Sequence, residues 1–135
     1  MGDIGVSRLA ADQRGVASVE FVLILPTLLL VLFLSVELSR AWFTMNLMTT
    51  AAREGVRAAS VAPANQVSSV GNARINAFLG NGNWTGGVTC STNPCVADSQ
   101  VTANVTVDFN TLFPVLLYML PRPLTMQQTA SMRYE

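Results

Sequence analysis

The longest apolar run of the chain extends from Phe21 to Val36, reads FVLILPTLLLVLFLSV and contains no charged residue. Its sixteen residues span about 24 Å as an α-helix, which is less than the hydrocarbon core of a bilayer, about 30 Å. Starting the helix at Val16 gives about 31 Å, but Glu20 then lies inside the apolar stretch. Because a carboxylate in a membrane segment is energetically unfavourable, Glu20 is a candidate functional residue. The pattern predicts a transmembrane helix over residues 16–38.

A helical pattern continues beyond the apolar run, because small and apolar residues recur there at alternating spacings of three and four. These residues are Leu38, Ala41, Met45, Met48, Ala52, Gly55 and Ala59. No proline occurs between Pro26 and Pro63, so we expect one helix from about Val16 to about Val61, with residues 39–62 outside the membrane. Its small residues permit close approach of the chain's own sheet or of a neighbouring subunit's helix. For the outer half of the helix we favour packing against the chain's own sheet.

Residues 63–135 predict a small globular part. The stretch from Asn65 to Leu79 has the spacing of a short amphipathic helix, and Gly-Asn turns follow it. From Gln100 to Asn110 apolar and polar residues alternate, with Val101, Ala103, Val105, Val107 and Phe109 on one face and Thr102, Asn104, Thr106 and Asp108 on the other. We expect neighbouring strands at Gly87–Cys90 and Leu124–Tyr134. The predicted fold class is α+β, with a long N-terminal helix packed on a small antiparallel sheet and a short second helix.

Two cysteines, Cys90 and Cys95, are separated by four residues that include the turn-forming pair Asn93-Pro94. Their spacing predicts a disulfide at the tip of a hairpin, and closing so short a loop contributes about 2 kcal/mol in the chain-entropy model. The alternative is a redox-active pair, but the spacing is not CxxC and no neighbouring residue activates a thiolate. A structural disulfide indicates an oxidising compartment for this part of the chain.

Charge and composition exclude several classes of function. The formal net charge is zero, and the basic residues are arginines scattered along the chain without a basic stripe, so nucleic acid is not an expected partner. Histidine is absent, which removes the commonest general base and metal ligand. Two cysteines are too few for a zinc or iron-sulfur site without histidines. We therefore expect no enzyme activity, no metal and no cofactor.

The apolar run has three interpretations. A secretory signal peptide would be removed after the run, but the following SVELSRAWF contains no small-x-small cleavage site and the run is long for such a peptide. A plain signal anchor would place Glu20 at the membrane surface, near the headgroups. In a pilin-type segment the chain is cleaved before the run, and Glu20 has a role of its own.

The third interpretation rests on a resemblance. A hydrophilic leader, residues 1–15, ends at Gly15, and Glu20 and Phe21 open the apolar helix; this resembles a prepilin-peptidase site. The first 60 residues or so are similar to the TadE family of tight-adherence (Flp-type) pilus pseudopilins. The similarity lies in Gly15, Glu20, Pro26, the exit Glu37-Leu38-Ser39-Arg40 and the run Ala51-Ala52-Arg53-Glu54-Gly55-Val56-Arg57. The resemblance implies a non-enzymatic minor pilin or pseudopilin, with prepilin peptidase, other pilins and assembly-platform proteins as partners in a hetero-oligomer.

The resemblance also implies roles at the junction. Cleavage after Gly15 would free the amine of Val16, which is mostly positive at neutral pH. Glu20, with Phe21 beside it, would pair with this amine or with that of a neighbouring subunit and so set the register of assembly. The leader would be cytoplasmic and the C-terminal part periplasmic in a bacterial inner membrane, because long domains translocate largely regardless of charge.

Two rival functions and one segment remain open at this point. One rival is an unprocessed, single-pass membrane scaffold or binding protein. The other is a major structural pilin, which the resemblance disfavours because such subunits are much shorter. The apolar stretch from Thr111 to Pro123 is expected to fold over the sheet and complete the core. Its alternative is an exposed docking patch for a partner pilin or the membrane surface.

Overall fold

Two helices and three strands make up the described part of the chain. The structure is a computed structural model that describes residues 6–112 and 124–135, with side chains from residue 15 onward. The elements are α1 (Val6–Ser60), α2 (Val67–Leu79), β1 (Thr85–Cys90), β2 (Gln100–Phe109) and β3 (Leu124–Arg133). They confirm the predicted α+β class. The chain divides into two compact units, with the boundary between Leu38 and Ser39.

Helix α1 begins ten residues earlier than the sequence pattern predicts, at Val6 instead of Val16. The intervening SRLAADQR is rich in Leu, Ala, Arg and Gln, which are strong helix formers, so local propensity extends the helix through the predicted leader. The predicted C-terminal end is confirmed, since α1 ends at Ser60 and Ala62 closes the turn by donating its N–H to the carbonyl of Ala59.

In the second unit, the outer half of α1 buries one stripe in the core. The buried members of the stripe are Met48, Ala51, Ala52, Gly55, Val56 and Ala59. Their i, i+3, i+4, i+7 spacing is that of a helix covering a sheet and is wider than the predicted heptad seam. Leu38, 71% exposed, and Met45, 44% exposed, belong to that seam but not to the buried stripe. The predicted packing of the outer half within its own chain is confirmed, since the stripe joins one cluster with Val101, Ala103 and Val105 of β2.

The sheet is antiparallel in the order β1-β2-β3. The strand predicted from the alternation between Gln100 and Asn110 is β2, the central strand. Val101, Ala103 and Val105 are fully buried, whereas the alternate residues of β2 are more exposed, which confirms the predicted alternation. In the register, Ala103 lies opposite Val88 of β1 and Ala130 of β3. The pairing places a continuous apolar face under α1 and α2.

Glycines bring α2 into close contact with its neighbours on two sides. A Cβ at Gly55 of α1 would lie 2.6 Å from Cγ1 of Ile75, which is fully buried in α2. A Cβ at Gly71 would lie 2.7 Å from Cγ2 of Val88 in β1. Asn72 fixes the same contact by accepting the N–H of Val88 at 2.9 Å through its Oδ1. Helix α2 is therefore held between α1 and β1 by positions that admit no side chain.

Covalent and polar contacts close the second unit at the end of the sheet where β1 and β3 end and β2 begins. The Tyr134 hydroxyl donates to the carbonyl of Ala62 at 2.7 Å, and the Glu135 N–H donates to the carbonyl of Ser60 at 3.1 Å. The C-terminus is thereby fixed to the end of α1. At the same end, Cys90 and Cys95 form the predicted disulfide in the connection between β1 and β2. Of the predicted apolar stretch from Thr111 to Pro123, residues 113–123 lie outside the described residues.

Replacing Gly71 by alanine should destabilise the protein. Alanine is the better helix former by about 1 kcal/mol, but its Cβ would meet the Cβ of Val88 at 2.9 Å. Val88 is stiff and fully buried, and overpacking of this kind costs about 1–3 kcal/mol. The measurement is urea unfolding of the full chain in detergent micelles, followed by Trp84 fluorescence in a W42F background. The G71A/V88A double variant should lose less unfolding free energy than the two single variants lose together. Additive losses would contradict the predicted clash.

The double variant C90A/C95A should lose about 2 kcal/mol of unfolding free energy, because the short loop is no longer closed in the unfolded chain. The same micelle assay measures this loss. A reductant should destabilise the wild type by a similar amount and leave the variant unchanged. A wild type whose unfolding midpoint is insensitive to reductant would contradict a stabilising role of the disulfide.

Candidate functional site

The first unit presents apolar side chains to its surroundings on every side of the helix. From Val16 to Val36 the large apolar residues that are more than two-fifths exposed are Val16, Val19, Phe21, Val22, Leu23, Ile24, Leu28, Leu29, Leu30, Val31, Leu32, Leu34 and Val36. None of the most apolar 18-residue window is buried. Such an extensive exposed apolar surface is unfavourable in water. This helix is long and apolar enough to cross a membrane.

The predicted processing site, Gly15 and Val16, lies inside the continuous helix α1. Both residues are exposed, and a Cβ built at Gly15 would have nothing within 4 Å. A peptidase binds its scissile bond in an extended conformation, so α1 has to unwind locally before cleavage. Glycine lowers the helix propensity of this position by about 1 kcal/mol relative to alanine. The junction is therefore accessible, and it is the point in its helical surroundings where unwinding is easiest.

Glu20 is a single carboxylate among exposed apolar side chains. It is exposed, and no hydrogen bond or ion pair joins it to any residue that the structure describes. Phe21 beside it is 61% exposed. Because residues four apart lie on one face of a helix, α1 brings Glu20 and Val16 together on the same side. The fold thus places the four predicted junction residues on one short length of helix, and gives Glu20 no cation from the described part of its own chain.

Two charged residues of the predicted exit motif, Glu37 and Arg40, follow the apolar run. Glu37 is 7% exposed and is the most deeply buried charged residue in the described part of the chain. The guanidinium of Arg40 lies 5.4 Å from the centre of the Phe109 ring and donates to the carbonyl of Asn110 at 3.5 Å. The sequence feature that points to Glu37 and Arg40 is their position just after sixteen uncharged residues. Sequence spacing does not reveal the partners of Arg40, because Asn110 lies seventy positions away along the chain.

A cleft of about 270 Å³ beside the disulfide is lined mainly by Asn65, Ser68, Thr89 and Asn93 with Ala64, Val67, Thr92 and the two cysteines. None of these side chains titrates near neutral pH, since both cysteines are disulfide-bonded. Within the described residues, no group of three or more His, Cys, Asp or Glu could hold a metal ion. The cleft therefore offers hydroxyl and amide groups for hydrogen bonding, and none of its lining residues is a base that could activate a hydroxyl.

The junction and the helix that follows it coincide with a known sequence family. Residues 15–57 match the family model described as TadE-like protein. No curated protein and no solved structure is a match for the chain. The matched segment contains Gly15, Glu20, the charged exit and the first part of the buried stripe, whereas residues 58–135 lie outside it. The match confirms the resemblance found in the sequence: from Gly15 to Arg57, this chain is similar to the TadE-like proteins.

Proposed function

We propose that this chain is a non-enzymatic minor pilin or pseudopilin that acts in the assembly of a tight-adherence, type IV-like pilus. The family match over residues 15–57, which begins at the junction glycine, carries the proposal. The exposed apolar helix supports a membrane anchor. The small disulfide-bonded α+β unit supports a globular part that lies outside the membrane.

The proposed processing step is hydrolysis of the peptide bond between Gly15 and Val16 by prepilin peptidase. Water supplies the hydroxyl of the new Gly15 carboxylate and the proton of the new Val16 amine. Cleavage moves the start of α1 from Val6 to Val16, and the first N–H groups of the shortened helix lose their carbonyl acceptors. Glu20 changes from a mid-helix residue to the fifth residue of the helix, near the positive end of the macrodipole.

Processing would also give Glu20 a cationic partner, because no cation in the described part of its own chain forms an ion pair with it. The amine of Val16 lies one helical turn from Glu20, and the amine of a neighbouring subunit would serve equally well. An unpaired charge away from water costs several kcal/mol, whereas a pair roughly breaks even against apolar packing. Pairing between subunits would therefore contribute specificity of register more than net affinity.

The proposed topology places the leader in the cytoplasm and the second unit in the periplasm, with α1 crossing the bacterial inner membrane. The disulfide between Cys90 and Cys95 supports this orientation, because disulfides form in the periplasm and rarely in the cytoplasm. The partners in this proposal are prepilin peptidase, other pilins or pseudopilins and the assembly platform, which makes the functional state a hetero-oligomer.

A second function is an unprocessed, single-pass membrane scaffold with a periplasmic domain. The observation that favours it is the unbroken helix through the junction, from Val6 to Ser60. In that case the leader remains attached, and Glu20 stays at the membrane surface without a role in assembly.

Intact mass of the chain from cells with and without prepilin peptidase distinguishes the two functions. With the peptidase, the mature chain should begin at Val16; without it, the leader should remain. The variant G15L should keep its leader because a large side chain hinders close approach to the scissile bond, while G5A, a matched change within the leader, should be processed normally. An intact leader in the wild type would overturn the processing step.

The variant E20Q should be processed normally and assemble poorly. Loss of the carboxylate leaves the Val16 amine without its partner, at a cost of about 1–3 kcal/mol, which is a roughly 10- to 100-fold loss of association. The measurement is the fraction of the chain recovered with sheared pili or with cross-linked pilus subunits. E54Q is the matched control, because Glu54 already pairs within its own chain with Arg57 and Arg74. Equal recovery of E20Q and wild type would contradict the proposed pairing.

A further inference from the structure

Two aromatic side chains lie exposed on α1 shortly after the apolar run ends. Trp42 is 71% and Phe43 68% exposed, although both are large enough to contribute strongly to a core. At about 100° per residue, both point away from the buried stripe that begins with Met48 and continues through Gly55. Trp42 and Phe43 therefore do not belong to the core of the second unit. They lie on the outer side of α1, meaning the side that faces away from the buried stripe, and any function they have must be exerted there.

The same outer side of α1 becomes polar immediately beyond the aromatic pair. It continues with Asn46 and Thr50, and then with Arg53 and Arg57, all of them exposed. A second copy of this helix packed along that side in parallel would bring arginines of like charge together and would bury polar groups. Along α1, the exposed apolar surface beyond the span is therefore a short band that ends at Met45, 44% exposed, and not a continuous stripe for another helix.

We propose that Trp42 and Phe43 bind the headgroup region of the outer leaflet, where the hydrocarbon of the bilayer meets water. Aromatic residues are enriched at this level, because the ring body is apolar and the indole N–H can donate to polar lipid groups. The band then sets how deeply α1 lies in the membrane. This inference rests on the proposed membrane span.

The lengths of the helical segments agree with this placement. The residues between Glu20 and Arg40 number nineteen and span about 28 Å, close to the thickness of the hydrocarbon core. Charged residues thus flank the core at both ends, and the aromatic pair follows directly outside Arg40. Glu37 is the exception within this length, and its side chain is buried. Glu20 is consequently placed at the inner boundary of the bilayer and not within the hydrocarbon.

Depth-dependent fluorescence quenching tests the inference, because the chain has two tryptophans. The full-length W84F variant, which retains Trp42, is reconstituted into phosphatidylcholine vesicles whose acyl chains carry bromine either near the headgroup or near the bilayer centre. Trp42 should lose more emission with the shallow bromines than with the deep ones. The matched W42F variant retains Trp84, whose indole N–H donates to Oδ1 of Asn76 at 2.7 Å; its emission should change with neither lipid.

A third variant separates failure of the inference from failure of the membrane span. L30W in the W42F/W84F background carries its tryptophan in the middle of the apolar run and should be quenched most by the deep bromines. Unquenched Trp42 with deeply quenched L30W would overturn the inference and leave the span intact. Deep quenching of Trp42 would also overturn it, because the band would then lie in hydrocarbon. Unquenched L30W would overturn the span itself.

Discussion

The structure depends on one helix that meets two kinds of surroundings. From Phe21 to Val36, α1 is apolar around its circumference and largely exposed, which is unfavourable in water. From Met48 onward it is apolar on one side, and that side is fully buried. The change takes place over about three turns, within which lie Glu37, Arg40 and the aromatic pair. Because the helix is continuous, these turns have to satisfy both environments, and they combine a buried carboxylate with exposed aromatic rings.

The second unit is built around this helix with small residues at the contacts. Gly55 leaves no side chain on α1, so that Ile75 of α2 fills the space at the contact, and Ala51 and Ala52 are buried in the same core cluster. A unit of fewer than 100 residues has a limited core, so covalent and polar closures contribute a large share of its stability. The disulfide after β1 and the hydrogen bond from Tyr134 to Ala62 supply such closures at separate points of the fold.

Periodicity in the sequence predicts the local elements well and their long-range contacts poorly. The alternation in β2 identified the central strand, because a sheet with one buried face requires it. The seam on α1 is buried within the chain from Met48 outward, whereas Leu38 and Met45 are exposed, since spacing alone cannot show which part of a seam packs against the same chain. The early start of α1 reflects the helix propensity of residues 7–14, which the junction motif does not reveal. The contacts of Arg40 with Phe109 and Asn110 depend on tertiary folding, which periodicity does not encode.

The proposed depth of α1 changes the argument for Glu20. A carboxylate in hydrocarbon needs a partner wherever one can be found, because its desolvation is so unfavourable. At the inner boundary, water and headgroups already solvate it, so pairing with an amine must be favoured by proximity and orientation. The proposed processing after Gly15 would provide both, since it would create an amine one turn away at the same level of the bilayer. The carboxylate is then useful because of its position on the helix, and a glutamate several residues deeper would stabilise the membrane-inserted chain less without gaining a better partner.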